Sequence, residues 1–108
     1  MTACVMVFVT CKSPAEARRI ARAMVTSRLA ACANVLSGEI ESIYRWKGKV
    51  ERARETLLLL KTTRRRWPKL RDAIRRAHNY DVPEIVALPI LAGLDEYLGW
   101  IGKSVEGG

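Results

Sequence analysis

The feature that most constrains the fold of this chain is a set of short segments that are apolar on both faces. Successive side chains of an extended strand point to opposite sides, so a strand with one solvated face alternates apolar and polar residues. The segment at 3–10 (ACVMVFVT) does not alternate, and neither do Leu57–Leu60 and Ile85–Leu88. These segments predict strands that are covered on both faces.

Helical patterns separate the strands. Ser13 can cap a helix that has Pro14 in its first position, and Glu16 closes a capping box. This first helix is predicted to end at about Arg28.

A second helix is predicted to start after Thr62 and Thr63, which can cap it, with Pro68 within its first turn. Its apolar stripe consists of Trp67, Leu70, Ile74 and Ala77. A short C-terminal helix is predicted from Asp95 to about Lys103. Its expected buried side carries Tyr97, Leu98 and Ile101.

Between the two long helices, residues 30–46 read as two strands that are interrupted at Ser37-Gly38. A tight hairpin turn at Trp46–Lys49 leads into a return strand at 50–61. The last strand is Glu84–Pro89. The order β-α-β-β-α-β predicts an α+β, ferredoxin-like split βαβ fold in a single domain, 1–108. Its four-stranded sheet is mainly antiparallel, has an extended hairpin arm, and carries both long helices on one face, with the short helix following.

Two helices can cover only one face of this sheet, so the other face is expected to be buried between copies of the chain. Cover by the C-terminal tail of the same chain is the alternative, but its short length does not suit a whole sheet. Four strands of about six residues present roughly 400 Å², close to the largest apolar patch that monomers usually expose. The hairpin around Tyr44, Trp46 and Val50 adds an exposed edge. The sequence predicts a homo-oligomer whose interface includes these three residues.

The segments AACANV, SIYRWKGKVE, LLLKTT, HNYDVPEIVALP and EYLGWI resemble those of the CutA divalent-cation tolerance family, in the same order and spacing. The resemblance covers almost the entire chain. It implies a ferredoxin-like homotrimer that binds divalent cations, with copper as the expected metal and zinc as the alternative. The architecture also resembles the trimeric PII signalling proteins. The alternative function is therefore a PII-like trimer that binds a small anionic ligand at subunit clefts.

The copper site described for the bacterial family combines a first-strand cysteine with two adjacent histidines before the last strand. The resemblance places Val9 and Ala77 at the first two of these positions, and only His78 matches. Any further ligands are expected from Cys11, Asp81 or Glu84, or from another subunit. The alternatives stay open: His78 can instead form a hydrogen bond at a helix end, and the two acids can be ordinary turn and strand-start residues.

The three cysteines lack C-x-x-C spacing, which argues against a disulfide framework or a structural zinc site. Cys32 is expected in the core of a strand. Cys11 precedes a helix N-terminus, a position that lowers the pKa of a thiol if the thiol is exposed. It can be a soft-metal ligand or an ordinary loop cysteine.

The net charge of +8 comes mostly from residues 61–76, which hold eight of the 19 basic residues and one of the 11 acidic residues. Basic residues on a solvated helix face are expected, rather than a nucleic-acid site, because Trp67 falls on the apolar stripe. Lys61, Thr62 and Thr63 could hold an anion at a helix N-terminus, although capping alone explains the threonines.

The chain contains one histidine and no nucleophile motif or glycine-rich phosphate loop, so no enzyme activity is expected. No apolar run approaches the roughly 18 residues that span a bilayer, and the N-terminus lacks the basic segment of a signal peptide. The expectation from sequence is a cytoplasmic protein without a membrane partner.

Overall fold

The computed structural model describes residues 2–107, and these form one four-stranded sheet with three helices. The strands are β1 (Cys4–Cys11), β2 (Cys32–Trp46), β3 (Lys49–Thr63) and β4 (Ile85–Pro89). The helices are α1 (Pro14–Thr26), α2 (Trp67–Ala77) and α3 (Asp95–Ser104). The sheet order is β2-β3-β1-β4, and every neighbouring pair is antiparallel. The predicted ferredoxin-like arrangement is confirmed.

One face of the sheet packs against α1 and α2. Val7 and Val9 of β1 and Leu58 and Leu60 of β3 are fully buried on this face. The helices contribute Ile20, Leu70 and Ile74 to the same cluster. The alternation of strand side chains places every second residue of β1 and β3 in this core, which fixes the register of the sheet.

The opposite face of the sheet is apolar and largely uncovered; we call it the open face. Its side chains lie on the same face of the sheet as Phe8, which pairs with Leu59 and Val86. They are Met6, Phe8, Leu57, Leu59, Val86 and Leu88. Val86 and Leu88 are each 46% exposed. Helix α3 covers only one end, where Ile101 and Val105 pack with Cys4 and Ala31.

The β2–β3 hairpin extends beyond the rest of the sheet as a two-stranded arm. Thr56 pairs with Cys11, the last residue of β1, so residues 40–55 pair only within the hairpin. Lys47 (φ 50°) and Gly48 (φ 79°) form the tight turn at the tip. The predicted interruption at Ser37-Gly38 is wrong: β2 is continuous, and the irregularity is a shift in register between Val35 and Glu39.

The helix starts differ in part from the predictions. Ser13 caps α1 by accepting from the Glu16 amide, as expected. No side chain caps α2, whose N-cap is Arg66, and the predicted capping by Thr62 and Thr63 is wrong. Both threonines are the last residues of β3, so their backbone belongs to the sheet and does not lie at the start of the helix. Thr63 only supports the turn before the helix, by accepting from the Arg66 amide over 3.3 Å.

Two predicted core positions are also wrong. Cys32 is only partly buried. It is the first residue of β2, and α3 covers only part of the sheet face on which it lies. Its sulfur lies 3.5 Å from the Tyr97 hydroxyl, which is itself at the surface, with Tyr97 40% exposed. Ile101 is fully buried, as expected. No helix among residues 2–107 combines the length and hydrophobicity required to cross a bilayer.

Candidate functional site

Three elements bring Cys11, Glu16 and His78 together; we call them the buried cluster. Cys11 is the last residue of β1, Glu16 lies in the first turn of α1, and His78 is the C-cap of α2. Their potential ligand atoms all lie within 4.8 Å of one another. Among residues 2–107 this is the one group of three or more His, Cys, Asp and Glu side chains with such spacing.

Both ring nitrogens of His78 are engaged. Nδ1 accepts a hydrogen bond of 3.1 Å from the Tyr80 amide. Nε2 lies 2.7 Å from the carbonyl oxygen of Thr10 and must donate to it, since a carbonyl only accepts. The ring is therefore the neutral tautomer that is protonated at Nε2. His78 is 8% exposed, so these two bonds satisfy its polar atoms within the core.

Glu16 ties the β1–α1 loop to the segment that follows α2. Its Oε1 accepts from the Lys12 amide at 3.0 Å, and its Oε2 accepts from the Asn79 amide at 3.1 Å. Arg19 lies 3.8 Å from the same carboxylate. In a capping box the Glu16 carboxylate would accept from the amide of Ser13. Here it accepts instead from the amide of Lys12, one residue earlier. The carboxylate is 4% exposed, and two backbone amides and one guanidinium partner its oxygens.

The thiol of Cys11 is held in its protonated form. Burial raises its pKa to about 12, and the charges of Glu16 and Glu55 act in the same direction. A lowered thiol pKa was expected only if Cys11 is exposed. The side chain is fully buried, so this lowering does not occur. Thr56 pairs with Cys11 across the sheet. Its hydroxyl is the one buried side-chain polar atom among the described residues that lacks a hydrogen-bond partner. This corner of the core can accept a further polar group.

A cleft of about 710 Å³ lies between the arm and the segment 79–84. Its walls include the aromatic residues Tyr44, Trp46 and Tyr80. Every charged residue that lines it is acidic, although the chain as a whole carries a net charge of +8. These acids are Glu55, Asp81 and Glu84.

The structure divides the metal ligands proposed from sequence into two groups. Cys11 and His78 meet in the buried cluster, whereas Asp81 and Glu84 line the cleft. Lys61, Thr62 and Thr63 do not converge, because consecutive strand residues point to opposite faces. The Lys61 ammonium donates to the side chain of Asn34, and the buried Thr62 hydroxyl donates to the Leu29 carbonyl.

The predicted interface residues lie on the arm. Tyr44 and Trp46 are 44% and 43% exposed and contribute one wall of the cleft, and Val50 is 65% exposed. In α2, which carries many of the basic residues, Trp67 packs against the main core, as its position on the apolar stripe indicated. Its indole is thus used in packing rather than presented as a stacking surface.

Glu16, Glu55 and Tyr80 were not assigned to these sites from sequence. Glu16 was assigned only a capping role, although its position five residues after Cys11 was a usable signal. Glu55 sits in an alternating polar strand, and nothing in that pattern distinguishes it from exposed neighbours. It is only 7% exposed because Tyr80 folds over it from a distant part of the chain.

Comparison with known proteins gives a consistent result. The model of a family described as "CutA1 divalent ion tolerance protein" matches residues 5–104. The chain is 51% identical over 99 residues to the divalent-cation tolerance protein CutA of Thermus thermophilus, covering 92% of this chain and 95% of that protein. It is 46% identical to human protein CutA, covering 92% of this chain and 55% of the human protein. The chain thus spans about half the length of the human relative.

Solved structures agree with these relatives. The structure of the divalent cation tolerance protein from Thermus thermophilus superimposes with a TM-score of 0.90 at 48% identity, covering 94% of this chain and 97% of that chain. The structure of the periplasmic divalent cation tolerance protein CutA from Archaeoglobus fulgidus superimposes with a TM-score of 0.91 at 38% identity, covering 95% of this chain and 99% of that chain.

Proposed function

Since this chain belongs to the CutA1 divalent ion tolerance family, we propose that it binds divalent metal cations, copper or zinc, and thereby contributes to tolerance of them. The family description refers to tolerance of ions and not to a catalysed reaction. The proposed role is accordingly one of binding. The protein acts in this proposal as a homotrimer.

The observation that carries this proposal is the buried cluster. Its three side chains place a thiol sulfur, a carboxylate oxygen and an imidazole nitrogen within 4.8 Å of one another. Zinc and copper both accept this combination of ligands. The hydroxyl of Thr56, across the sheet from Cys11, has no hydrogen-bond partner and would be available to a further polar ligand at this site.

Metal binding at this cluster requires rearrangement. His78 can offer a nitrogen only by giving up its bond to Thr10 or to the Tyr80 amide. Cys11 must lose a proton that burial holds tightly, since its pKa is raised to about 12. Both costs reduce the affinity at neutral pH and couple binding to movement of the segment 78–80. The proposal therefore predicts modest affinity that rises with pH.

The open face supports assembly. Six apolar side chains line it, and α3 covers only the end near Cys4. The arm adds further exposed apolar residues, with Ile43 at 68% and Val50 at 65% exposure. A homotrimer that packs the open faces together, with arms contacting neighbours through Tyr44, Trp46 and Val50, removes this surface from water.

The alternative, a PII-like anion binder, requires basic groups at the ligand. The charged residues of the cleft are all acidic, and the Lys61 ammonium is already bound to Asn34. The charge of the described cleft therefore favours a cation over an anion.

Calorimetric titration with Zn²⁺ and Cu²⁺ tests the metal proposal. Cys11→Ala is expected to weaken binding at least tenfold, whereas Cys4→Ala, which removes the other buried thiol, leaves binding unchanged. Titration in two buffers of different ionisation enthalpy should reveal release of about one proton per metal bound. Absence of saturable binding by the wild type, or equal binding by the two cysteine variants, would contradict the proposal.

A further inference from the structure

The positive charge of this protein is concentrated on its helical side, which the metal proposal does not use. We call this side the basic layer; it consists of α1, α2 and the residues next to them, segments 12–28 and 64–77. These segments hold 12 of the 19 basic residues and two of the 11 acidic residues, a net charge of +10. The rest of the chain holds seven basic and nine acidic residues. The excess of positive charge therefore belongs entirely to the basic layer.

Most cations of the basic layer are exposed and have no acidic partner. Eleven of the 12 are exposed. Among residues 2–107, only Arg19 and Arg71 of this layer lie within ion-pair distance of a carboxylate. On the arm, by contrast, Arg52 and Arg54 each pair with a glutamate. The layer thus presents nine exposed cations whose charge the described chain does not neutralise locally.

The fold places the two helices of the basic layer side by side. Both pack on the same face of the sheet, where Ile20 of α1 and Ile74 of α2 belong to one core cluster. The Arg19 guanidinium donates a hydrogen bond of 3.0 Å to the carbonyl of Ala77, the last residue of α2, and so joins the helices. The expectation of an ordinary solvated helix face was based on the segment around α2 alone. The addition of α1 extends the charged surface over two helices.

The basic layer stays accessible in the assembly proposed above. That assembly buries the open face and contacts neighbouring subunits through Tyr44, Trp46 and Val50 of the arm. The helices cover the opposite face of the sheet, and the three arm residues lie outside segments 12–28 and 64–77. Each subunit therefore presents its basic layer on the outside of the particle.

The side chains of the basic layer suit phosphate groups. Ten of its 12 cations are arginines, whose planar guanidinium groups can donate two parallel hydrogen bonds to one phosphate. Its one aromatic residue, Trp67, packs into the core, so it gives no stacking surface for unpaired bases. Within these described segments, Val25 is the one exposed large apolar side chain, which is little to insert into a membrane. This composition favours the regular phosphates of a nucleic-acid duplex.

We propose that the basic layer binds double-stranded DNA through the phosphate backbone, with arginines such as Arg22 of α1 and Arg75 of α2 contacting phosphates. A DNA duplex carries one negative charge per about 1.7 Å of its axis, which complements a surface of closely spaced cations. Phosphate contacts carry no sequence information, so this binding does not depend on the base sequence. The surface uses neither Cys11 nor His78 and is therefore a second binding function of the same protein.

The test measures how binding of a DNA duplex depends on salt. Fluorescence anisotropy of a labelled duplex of about 20 base pairs, two helical turns, reports binding to the full-length, assembled protein in the presence of EDTA, which removes divalent metal. Contact with at least four phosphates gives a slope of about −3.6 or steeper in a plot of log association constant against log salt concentration. Binding should accordingly weaken about a hundredfold or more between about 50 and about 200 mM NaCl. Two duplexes of unrelated sequence should bind equally tightly.

Two variants locate the surface. Arg22→Gln and Arg75→Gln each remove one charge at an exposed helix position, where glutamine is a good helix former. Each should weaken duplex binding severalfold and make the salt slope less steep by about 0.9. Lys103→Gln is the matched control, because it removes one exposed charge from α3, outside the basic layer, and it should leave the slope unchanged.

The proposal is overturned if the duplex does not bind at low salt, if the slope is shallower than expected, or if both arginine variants bind as Lys103→Gln does with native assembly intact. Tighter binding to anionic phospholipid vesicles, or to an RNA duplex of the same sequence, would also overturn it. Cys11→Ala separates this proposal from the metal proposal, since it should weaken metal binding at the cluster and leave duplex binding unchanged.

Discussion

The hydroxyl of Tyr80 donates a hydrogen bond of 3.0 Å to the carboxylate of Glu55, and this bond joins the loop after α2 to the base of the arm. The backbone amide of the same tyrosine donates to His78. Burial and the neighbouring Glu55 carboxylate raise the pKa of the Tyr80 hydroxyl, so it remains a donor throughout the neutral range. Tyr80 thus connects the buried cluster to the cleft.

Tyr80→Phe is expected to lower the free energy of unfolding by about 1–3 kcal/mol, because a hydrogen bond to a buried carboxylate is lost while the ring is kept. Urea denaturation measures this. Tyr97→Phe is the matched control: its hydroxyl contacts Cys32 at a more exposed position, and it should cost less than about 1 kcal/mol. Equal costs for the two variants would contradict the importance assigned to the Tyr80–Glu55 bond.

His78→Ala is expected to lower the free energy of unfolding by about 2–4 kcal/mol, because two buried hydrogen bonds and a packed ring are lost together. Asn79→Ala should change stability by less than about 0.5 kcal/mol, since only the backbone amide of Asn79 reaches Glu16 and alanine retains it. Denaturant titrations of both variants decide the matter. A costly Asn79 variant together with a neutral His78 variant would refute the hydrogen-bond assignment.

The raised pKa of Cys11 predicts a loss of stability in alkaline solution. The folded state keeps the thiol protonated up to about pH 12, whereas an unfolded thiol ionises near its ordinary value of 9.0. The stabilising contribution is therefore complete below pH 9 and is lost as the pH rises towards 12. The stability of the wild type relative to Cys11→Ala should fall by at most about 1.4 kcal/mol per pH unit in this window.

Urea unfolding of both proteins between about pH 7 and about pH 11 provides the check. Taking the difference between the two cancels other groups that titrate there, including Cys4, whose pKa burial also raises. A difference that is constant with pH, or that grows once the unfolded thiol ionises, would show that the thiol is not buried as described.

Assembly through the open face predicts that a charge placed there separates the subunits. Leu88→Lys should convert a particle of three times 12.1 kDa into monomers at micromolar concentration, because Leu88 lies within the apolar surface, paired with Met6. Leu91→Lys is the control: Leu91 is 75% exposed and lies beyond the end of β4. Native mass spectrometry distinguishes the outcomes, and a wild-type monomer would contradict the assembly.

The order of elements could be predicted from sequence because each strand and helix carries its own local signal. The non-alternating strands at 3–10 and Leu57–Leu60 identified both sheet faces, and Ser13 identified the start of α1. The errors arose where tertiary pairing overrides local signals. Ser37-Gly38 looked like the end of a strand, but β2 continues through an irregularity there, and its pairing with β3 stops at Val35 and resumes at Glu39 in a shifted register.

The candidate sites could be predicted only in part, because they depend on contacts between residues far apart in sequence. Cys11 and His78 were both proposed as metal ligands from their types and positions. That they meet at Glu16 follows from the packing of α1 and α2 on one face of the sheet, which no local pattern encodes. Glu55 becomes a buried carboxylate only through Tyr80, 25 residues away.

X-ray absorption at the zinc edge of the metal-loaded protein tests the central claim, that the buried cluster is the metal site. Metal bound at this cluster should show one sulfur ligand at about 2.3 Å together with nitrogen and oxygen ligands, and the sulfur signal should be lost in Cys11→Ala but not in Cys4→Ala. A ligand shell of nitrogen and oxygen alone in the wild type, or a sulfur signal that persists in Cys11→Ala, would contradict it.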